Sequence, residues 1–200
     1  RGKRTSYEGG LRIPLIINWP SLKSKPLKIN RLVSTIDLYP TILDIAGLKV
    51  PKYLPGKSLV GLIKNKNVKW REFLYTEYHV HSNHNPYPQR TVRNDRHKLI
   101  WNPLYGIKNP GYEFTLSKVL VISEGEIFEH INKNAINAYS IMKNPPEYEL
   151  YDLINDPYEF NNIAGKNENV LILENMKNAL HNWQKESNDP LIDKSLAKKL

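Results

Sequence analysis

The sequence predicts an α/β protein in two parts. Residues 1–69 form the closing portion of a sheet covered on both faces, and residues 70–200 a small α+β subdomain with an antiparallel sheet and a helix. Three observations carry the prediction. Residues 13–18 are a continuous, not alternating, apolar run, the pattern of a strand buried on both faces. Strand-like segments at 70–80, 91–93, 98–101 and 149–153 succeed one another, which favours antiparallel pairing. Leu173, Met176, Leu180 and Trp183 recur at helical spacing near the end.

Each element has a local cause. A basic cluster, Lys3 and Arg4, runs through Tyr7-Glu8 into a Gly9-Gly10 turn and then into the apolar run, closed by Trp19-Pro20. Residues 21–31 are polar and read as a surface loop. Residues 34–47 predict a short helix starting near Asp37. Ser34, Thr35 or Asp37 offers an oxygen to the free N–H groups of its first turn. Pro40 is tolerated only in a first turn, and Gly47 supplies the left-handed end. Leu38, Ile42 and Ile45 share one face of it.

Pro55-Gly56-Lys57-Ser58 resembles half a phosphate loop, but the first glycine of that motif would fall on Pro51, and no strand precedes it. A turn leading into 59–63 is the expectation. Along 70–80, Phe73, Tyr75 and Glu77 face one way and Leu74, Thr76 and Tyr78 the other. Residues 91–93 and 98–101 predict a hairpin across Asn94-Asp95-Arg96-His97. Residues 118–122 predict a strand and 126–142 a helix. Residues 149–153 predict the last strand, ending in the Asn155-Asp156-Pro157 turn. The amphipathic helix over 170–186 is stopped by Asn188-Asp189-Pro190.

Composition sets outer limits. In 200 residues, 40% hydrophobic content supplies a core, so disorder is excluded for most of the chain. No apolar run is long enough to cross a bilayer. The absence of cysteine excludes disulfides and thiolate metal sites within the segment. The net charge of +9 fits either a basic soluble surface or a polyanionic partner such as a sulfated glycan, nucleic acid or phospholipid. The chain opens without methionine or lead-in, and is expected to be the back part of something longer.

Two groups of residues could carry chemistry. Glu77, His79, His81 and His84 lie close together, followed by Tyr87 and Arg90, and His79 and His81 at i, i+2 share one face of a strand. That spacing admits a metal, a set of substrate contacts, or plain surface histidines beside a proline loop. Lys3 and Arg4 before a Gly-Gly turn give two cations on flexible backbone, suited to a sulfate or phosphate, or else a solvated basic terminus. No Gly-x-Ser-x-Gly element is present and no general base stands out.

The segment Gly2-Lys3-Arg4-Thr5-Ser6-Tyr7-Glu8-Gly9-Gly10-Leu11-Arg12-Ile13-Pro14 resembles the part of type I sulfatases that carries an active-site lysine. Residues 33–47 are similar to their helix signature, and Leu54-Pro55-Gly56-Lys57-Ser58-Leu59 to the loop that follows. Glu149-Leu150-Tyr151-Asp152-Leu153 with Asn155-Asp156-Pro157 and Glu159 resembles their C-terminal subdomain. These motifs keep the family's order over nearly the whole chain. Residues 87–93, 98–102 and 183–190 most resemble the heparan N-sulfatase (N-sulfoglucosamine sulfohydrolase) subgroup.

The resemblance implies an alkaline-phosphatase-like α/β fold and hydrolysis of a sulfate ester or sulfamate. It implies a formylglycine nucleophile made from Cys or Ser, and a calcium ion that polarises the sulfate. It places Lys3 against the sulfate as a catalytic residue and sets His79, His81, His84 and Arg90 at the pocket rim, gripping the sugar. The partner implied is a sulfated glycan rather than nucleic acid, and the compartment an exported one, periplasmic or lysosomal. The family's Cys/Ser-x-Pro/Ala-x-Arg motif and its aspartate ligands are missing from this sequence. Nucleophile and calcium ligands are therefore expected upstream, and this chain is expected to be inert alone, with no metal ligand of its own. A phosphoesterase of the same superfamily and a non-catalytic glycan-binding module are the alternatives.

Overall fold

The structure is a computed structural model that describes residues 2–22, 26–64, 66–81 and 86–199. In chain order its elements are α1 (Glu8–Leu11), α2 (Leu38–Ile45), α3 (Val60–Ile63), β1 (Leu74–Tyr78), β2 (Gln89–Arg93), β3 (His97–Trp101), α4 (Pro110–Phe114), α5 (Glu124–His130), α6 (Lys133–Lys143), β4 (Tyr148–Asp152), α7 (Val170–Glu186) and α8 (Lys194–Ala197), with short 3₁₀ turns between. No helix among the described residues is long and apolar enough to cross a membrane.

The chain divides into two compact units, Pro14–Leu74 and Arg1–Ile13 with Tyr75–Leu200. The opening residues group with the later unit. The reason is electrostatic and aromatic: Tyr7 and Glu8 are bonded into the β-sheet, as described below.

In the Pro14–Leu74 unit, the helix signalled by Ser34, Pro40 and Gly47 is present. Ser34 and Asp37 form a reciprocal capping box, and Gly47 takes the left-handed conformation at φ 72°. The Asp37 carboxylate is its centre. It accepts from the Ser34 and Lys57 backbone N–H groups at 2.8 Å each, and from both Arg71 guanidinium nitrogens at 2.6 Å. The Thr41 hydroxyl donates to the Asp37 carbonyl and accepts from the Leu59 N–H. The Pro55-Gly56-Lys57-Ser58 segment is thus a latch on this helix. Glycine is required there because a Cβ on Gly56 would stand 2.0 Å from the Ile36 carbonyl oxygen.

One expectation for this unit is corrected. Residues 12–19 carry no regular secondary structure, and Ile16 is 91% exposed. A strand needs at least one ladder to a neighbour, and no described strand pairs with this run. On α2 the buried residues are Pro40 and Thr41, with Thr41 bonded to the Asp37 carbonyl and the Leu59 N–H, while Ile42 and Ile45 on the shared apolar face are exposed.

The later unit is a sheet of order β1-β2-β3-β4 with antiparallel β2–β3 and β3–β4 ladders. Asn94 makes the β2–β3 turn: its side-chain oxygen accepts from the Arg96 and His97 N–H groups. The register places Lys98 and Ile100 on one face with Glu149 and Tyr151, and Leu99 and Trp101 on the other with Leu150 and Tyr148. Tyr7, Tyr112, Leu116 and Met142 pack on the first face against Ile100 and Tyr151. On the other lies α7, burying Met176 and Leu180 as its helical stripe requires, and its Trp183 stacks on Tyr75 at 5.2 Å. Both faces are covered, so β2 to β4 are nearly continuously buried.

Residues 118–122 are not a strand. Thr115–Leu120 form a wide π-helical turn ended by Val121 at φ 52°. The helix expected over 126–142 is broken at Asn132, whose side chain caps α6 by accepting from the Ala135 N–H.

Candidate functional site

The opening segment is a loop with a rigid root. Glu8, at the start of α1, sits between two cations that the β2–β3 register sets side by side, Arg93 and Lys98. Its carboxylate meets the Arg93 guanidinium at 2.6 Å and the Lys98 ammonium at 3.3 Å. Lys98 is fully buried and also pairs with Glu159 at 2.9 Å. Glu159 in turn accepts from the Glu8 N–H at 2.6 Å. Glu8, Lys98 and Glu159 thus close a ring beneath the segment that carries Lys3, and Arg93 pairs with its Glu8 corner to balance the charge. Burial raises the Glu159 carboxyl above its ordinary pKa, and Lys98 and the Glu8 N–H oppose that rise.

The turn after β4 exists to deliver Glu159. Asp152 accepts from the Ile154 N–H and its carbonyl from the Asp156 N–H. The Asp156 carboxylate accepts from the Phe160 and Asn161 N–H groups. The result holds Glu159 in the left-handed region at φ 59°, a conformation that costs a non-glycine residue about 1–3 kcal/mol.

A second buried network fixes Tyr7. Its hydroxyl donates to Glu149 at 2.9 Å, and Tyr151 and Asn102 donate to the same carboxylate. Gln89 donates to Asn102 at 2.6 Å. Gly10 is the remaining constraint: a Cβ there would stand 2.3 Å from the Thr5 carbonyl oxygen. We expect Gly10→Ala to displace residues 2–6 and to destabilise the protein by about 1–3 kcal/mol, the usual range for overpacking. Chemical denaturation together with amide exchange across 2–12 measures both.

On this root, Lys3 is exposed on the turn, and no described ion pair involves it. Arg4 beside it is left-handed at φ 77°, with its guanidinium 5.5 Å from the centre of the Phe114 ring. Arg4, Thr5, Tyr7, Tyr78, Gln89, Asn109 and Gly111 line a narrow crevice. Burial raises the Tyr78 phenol above its ordinary pKa, and Arg4 pulls it back.

The other expected site residues are placed unequally. His79 follows Tyr78 directly and is half exposed, 3.7 Å from Glu77. His81 is exposed. His84 lies outside the described residues. Arg90 is corrected from a rim position to an interior one. It is fully buried, donates to both Asp189 oxygens at 2.9 and 2.7 Å, and donates to its neighbour's carbonyl, Gln89 O. Gln184 of α7 donates to the same Asp189. The guanidinium ties β2 to the end of α7 and offers no face to a sugar. Among the described residues no three His, Asp or Glu side chains converge to hold a metal.

Glu8, Glu159 and Lys98 were not foreseen as parts of the site. The only sequence signal was an acidic residue in each of two separated motifs, 7–10 and 155–159, which the fold brings together.

The chain matches the family model described as N-sulphoglucosamine sulphohydrolase, C-terminal, over residues 2–109. It is 29% identical over 196 residues to an ulvan-active sulfatase of Formosa agariphila, covering 95% of this chain and 36% of that protein. It is 29% identical to the N-acetylglucosamine-6-O-sulfatase of Bacteroides thetaiotaomicron over 194 residues, covering 94% and 28%. The chain therefore spans roughly a third of the length of these relatives. A solved structure described as in complex with its substrate D-glucosamine-2-N,6-O-disulfate superposes with a TM-score of 0.52 at 26% identity, covering 77% of this chain and 24% of that one. A 2-O glycosaminoglycan sulfatase shares the fold, with a TM-score of 0.55 at 23% identity over 80% and 27%. The architecture is that of the end of a sulfatase α/β domain with its small antiparallel-sheet subdomain. With the Lys3 segment and more than half of the 200 residues inside the matched span, the chain belongs to the N-sulphoglucosamine sulphohydrolase C-terminal family of sulfatases.

Proposed function

We propose that this chain is the C-terminal part of a sulfatase that hydrolyses sulfate esters or sulfamates of a sulfated, heparan-like glycan, and that Lys3 is a catalytic residue. The observation that carries this is an exposed lysine, not paired with any carboxylate in the described ion pairs, on a turn whose root is locked by the Glu8–Lys98–Glu159 ring and the Glu8–Arg93 pair. A fixed cation at the sulfate is worth most where negative charge grows on the transferring oxygens. The relatives named above, sulfatases of ulvan and of an amino sugar, support a glycan substrate. The basic balance of the chain suits a polyanion.

The same proposal assigns the nucleophile to a formylglycine, and calcium to ligands, both outside residues 1–200. When bound, calcium would supply Lewis-acid polarisation of the sulfate. Among the described residues no three carboxylate or imidazole groups converge to hold calcium. His79 and His81, which follow the Tyr78 edge of the crevice, are proposed sugar contacts, and His84 with them.

The test is turnover of sulfated glycans by the full-length protein and its Lys3→Ala variant. Lys3→Ala is expected to lower kcat by about 10²–10³, the range for removing one pre-organised charge-stabilising group. Thermal stability should not change, because Lys3 is exposed. Unaltered kcat would remove Lys3 from the chemistry. Turnover of phosphate esters but of no sulfated sugar would favour the phosphoesterase alternative.

A further inference from the structure

We infer that Arg4 is a specificity-determining residue: it takes a second anionic group of the substrate, a sulfate or carboxylate other than the one Lys3 faces. This rests on the sulfatase proposal and deepens it. Three features support it. Arg4 occupies a left-handed backbone conformation, φ 77°, that the tight turn closed by Thr5 Oγ1 donating to Gly2 O imposes. Strain of that kind at a non-glycine residue is a mark of function when nothing in the core requires the side chain.

Its guanidinium lies against Phe114 and pairs with no carboxylate in the described ion pairs. By contrast Arg71, Arg90, Arg93 and Arg96 are each bound to Asp or Glu. The ring meets the guanidinium in a cation–π contact, which leaves its N–H donors to meet a planar or tetrahedral anion. Finally, Arg4 lines one crevice with Tyr78, whose phenol suits a sugar hydroxyl, while the buried Gln89 and Asn109, bonded to Asn102 and Gly111, form its wall. Lys3 and Arg4, being adjacent, are therefore split in role: one cation at the reacting sulfate and the other at a neighbouring charge.

The experiment compares the full-length protein with Arg4→Gln and Arg4→Gly on three probes. These are glucosamine N-sulfate, glucosamine N,6-O-disulfate, and an N-sulfated disaccharide carrying a uronate. Arg4→Gln is expected to lose about tenfold or more in kcat/KM on a probe with the second charge, the worth of a charge-assisted contact, and less than about twofold on the monosulfated sugar. Which doubly charged probe responds identifies sulfate or carboxylate as the partner. Arg4→Gly, which relieves the φ, is expected to show the same selectivity loss without a lower melting temperature, which separates recognition from folding.

Equal losses on all three probes, or none, would overturn the inference. If the wild-type protein turns over none of them, the sulfatase proposal fails for these sugars, and calorimetric binding then decides Arg4 separately. Affinity that rises with the second charge in wild type and not in Arg4→Gln sustains the contact; affinity indifferent to it overturns it.

Discussion

Replacing Lys98 by methionine is expected to destabilise the folded protein by about 3–5 kcal/mol, the cost of removing one partner from a buried ion pair. The apolar stem is kept, so the loss isolates the ammonium. Glu159, which is 1% exposed, loses its cation but keeps the Glu8 N–H, and Glu8 keeps Arg93. The sign of the pH dependence follows. In wild type, burial already raises the Glu159 pKa and Lys98 opposes the rise. Without Lys98 the folded-state pKa climbs further above the unfolded value. A carboxyl with a raised folded pKa stabilises most when protonated and loses that contribution as pH rises through its folded pKa. The deficit of Lys98→Met relative to wild type should therefore shrink on acidification below neutrality. Urea denaturation across that range checks it, and adding Glu159→Gln to the variant should recover part of the loss. A deficit independent of pH would mean that packing, not charge, is what Lys98 provides. Because the ring anchors the turn bearing Lys3, the same variant is expected to lower kcat.

What the sequence disclosed, and what it withheld, divides along the range of the forces involved. The Ser34–Gly47 helix, the Asn94 turn and the helix over 170–186 were legible because each is decided by neighbours within a few residues: a cap, a left-handed end, a side-chain turn, a 3.6-residue stripe. The span 118–122 misled because a short apolar run fits a strand or a helix equally, and the left-handed Val121 that closes the π-helical turn has no sequence signature. Asn132 was overlooked as a cap because the apolar pattern continues across it.

In the site, the turn that carries Lys3 was legible from its Gly-rich context, whereas the burial of Arg90 was not. An arginine in a polar strand looks available until its partner is known, and that partner, Asp189, lies 99 residues on. The Glu8–Lys98–Glu159 ring is of the same kind. Three charged residues from separate motifs bury one another, and local rules, which expect charge outside, point the wrong way. The DP turn shows the converse: Asp156 was read as turn punctuation, and the structure adds that the turn aims Glu159 into the ring.

Asp37→Asn is expected to be the most disruptive conservative change in the Pro14–Leu74 unit, by about 3–5 kcal/mol. One carboxylate holds four donors from three places: the Ser34 N–H that starts the helix, the Lys57 N–H of the latch, and both ends of the Arg71 fork. An amide supplies one acceptor oxygen and two donors, so it cannot accept from both sides, and it leaves Arg71 as an uncompensated, largely buried cation. Burial pushes the Asp37 carboxyl up, but Arg71 with the Lys57 and Ser34 N–H groups outweighs it and holds the pKa below its ordinary value. A lowered carboxylate pKa means stability that is present above the unfolded value and lost as pH falls through the folded one. Wild-type protein should therefore weaken in acid below the ordinary carboxylate range, and Asp37→Asn should lack that component of the acid dependence. The Gly56 contact gives an independent route to the same latch: Gly56→Ala drives a Cβ into the Ile36 carbonyl and should loosen the Lys57 bond without altering the charge. If Gly56→Ala destabilises while keeping the acid transition, and Asp37→Asn removes it, the unit is held by the carboxylate and its geometry together. If the two variants share one pH profile, the ion pair with Arg71 is not what stabilises the unit.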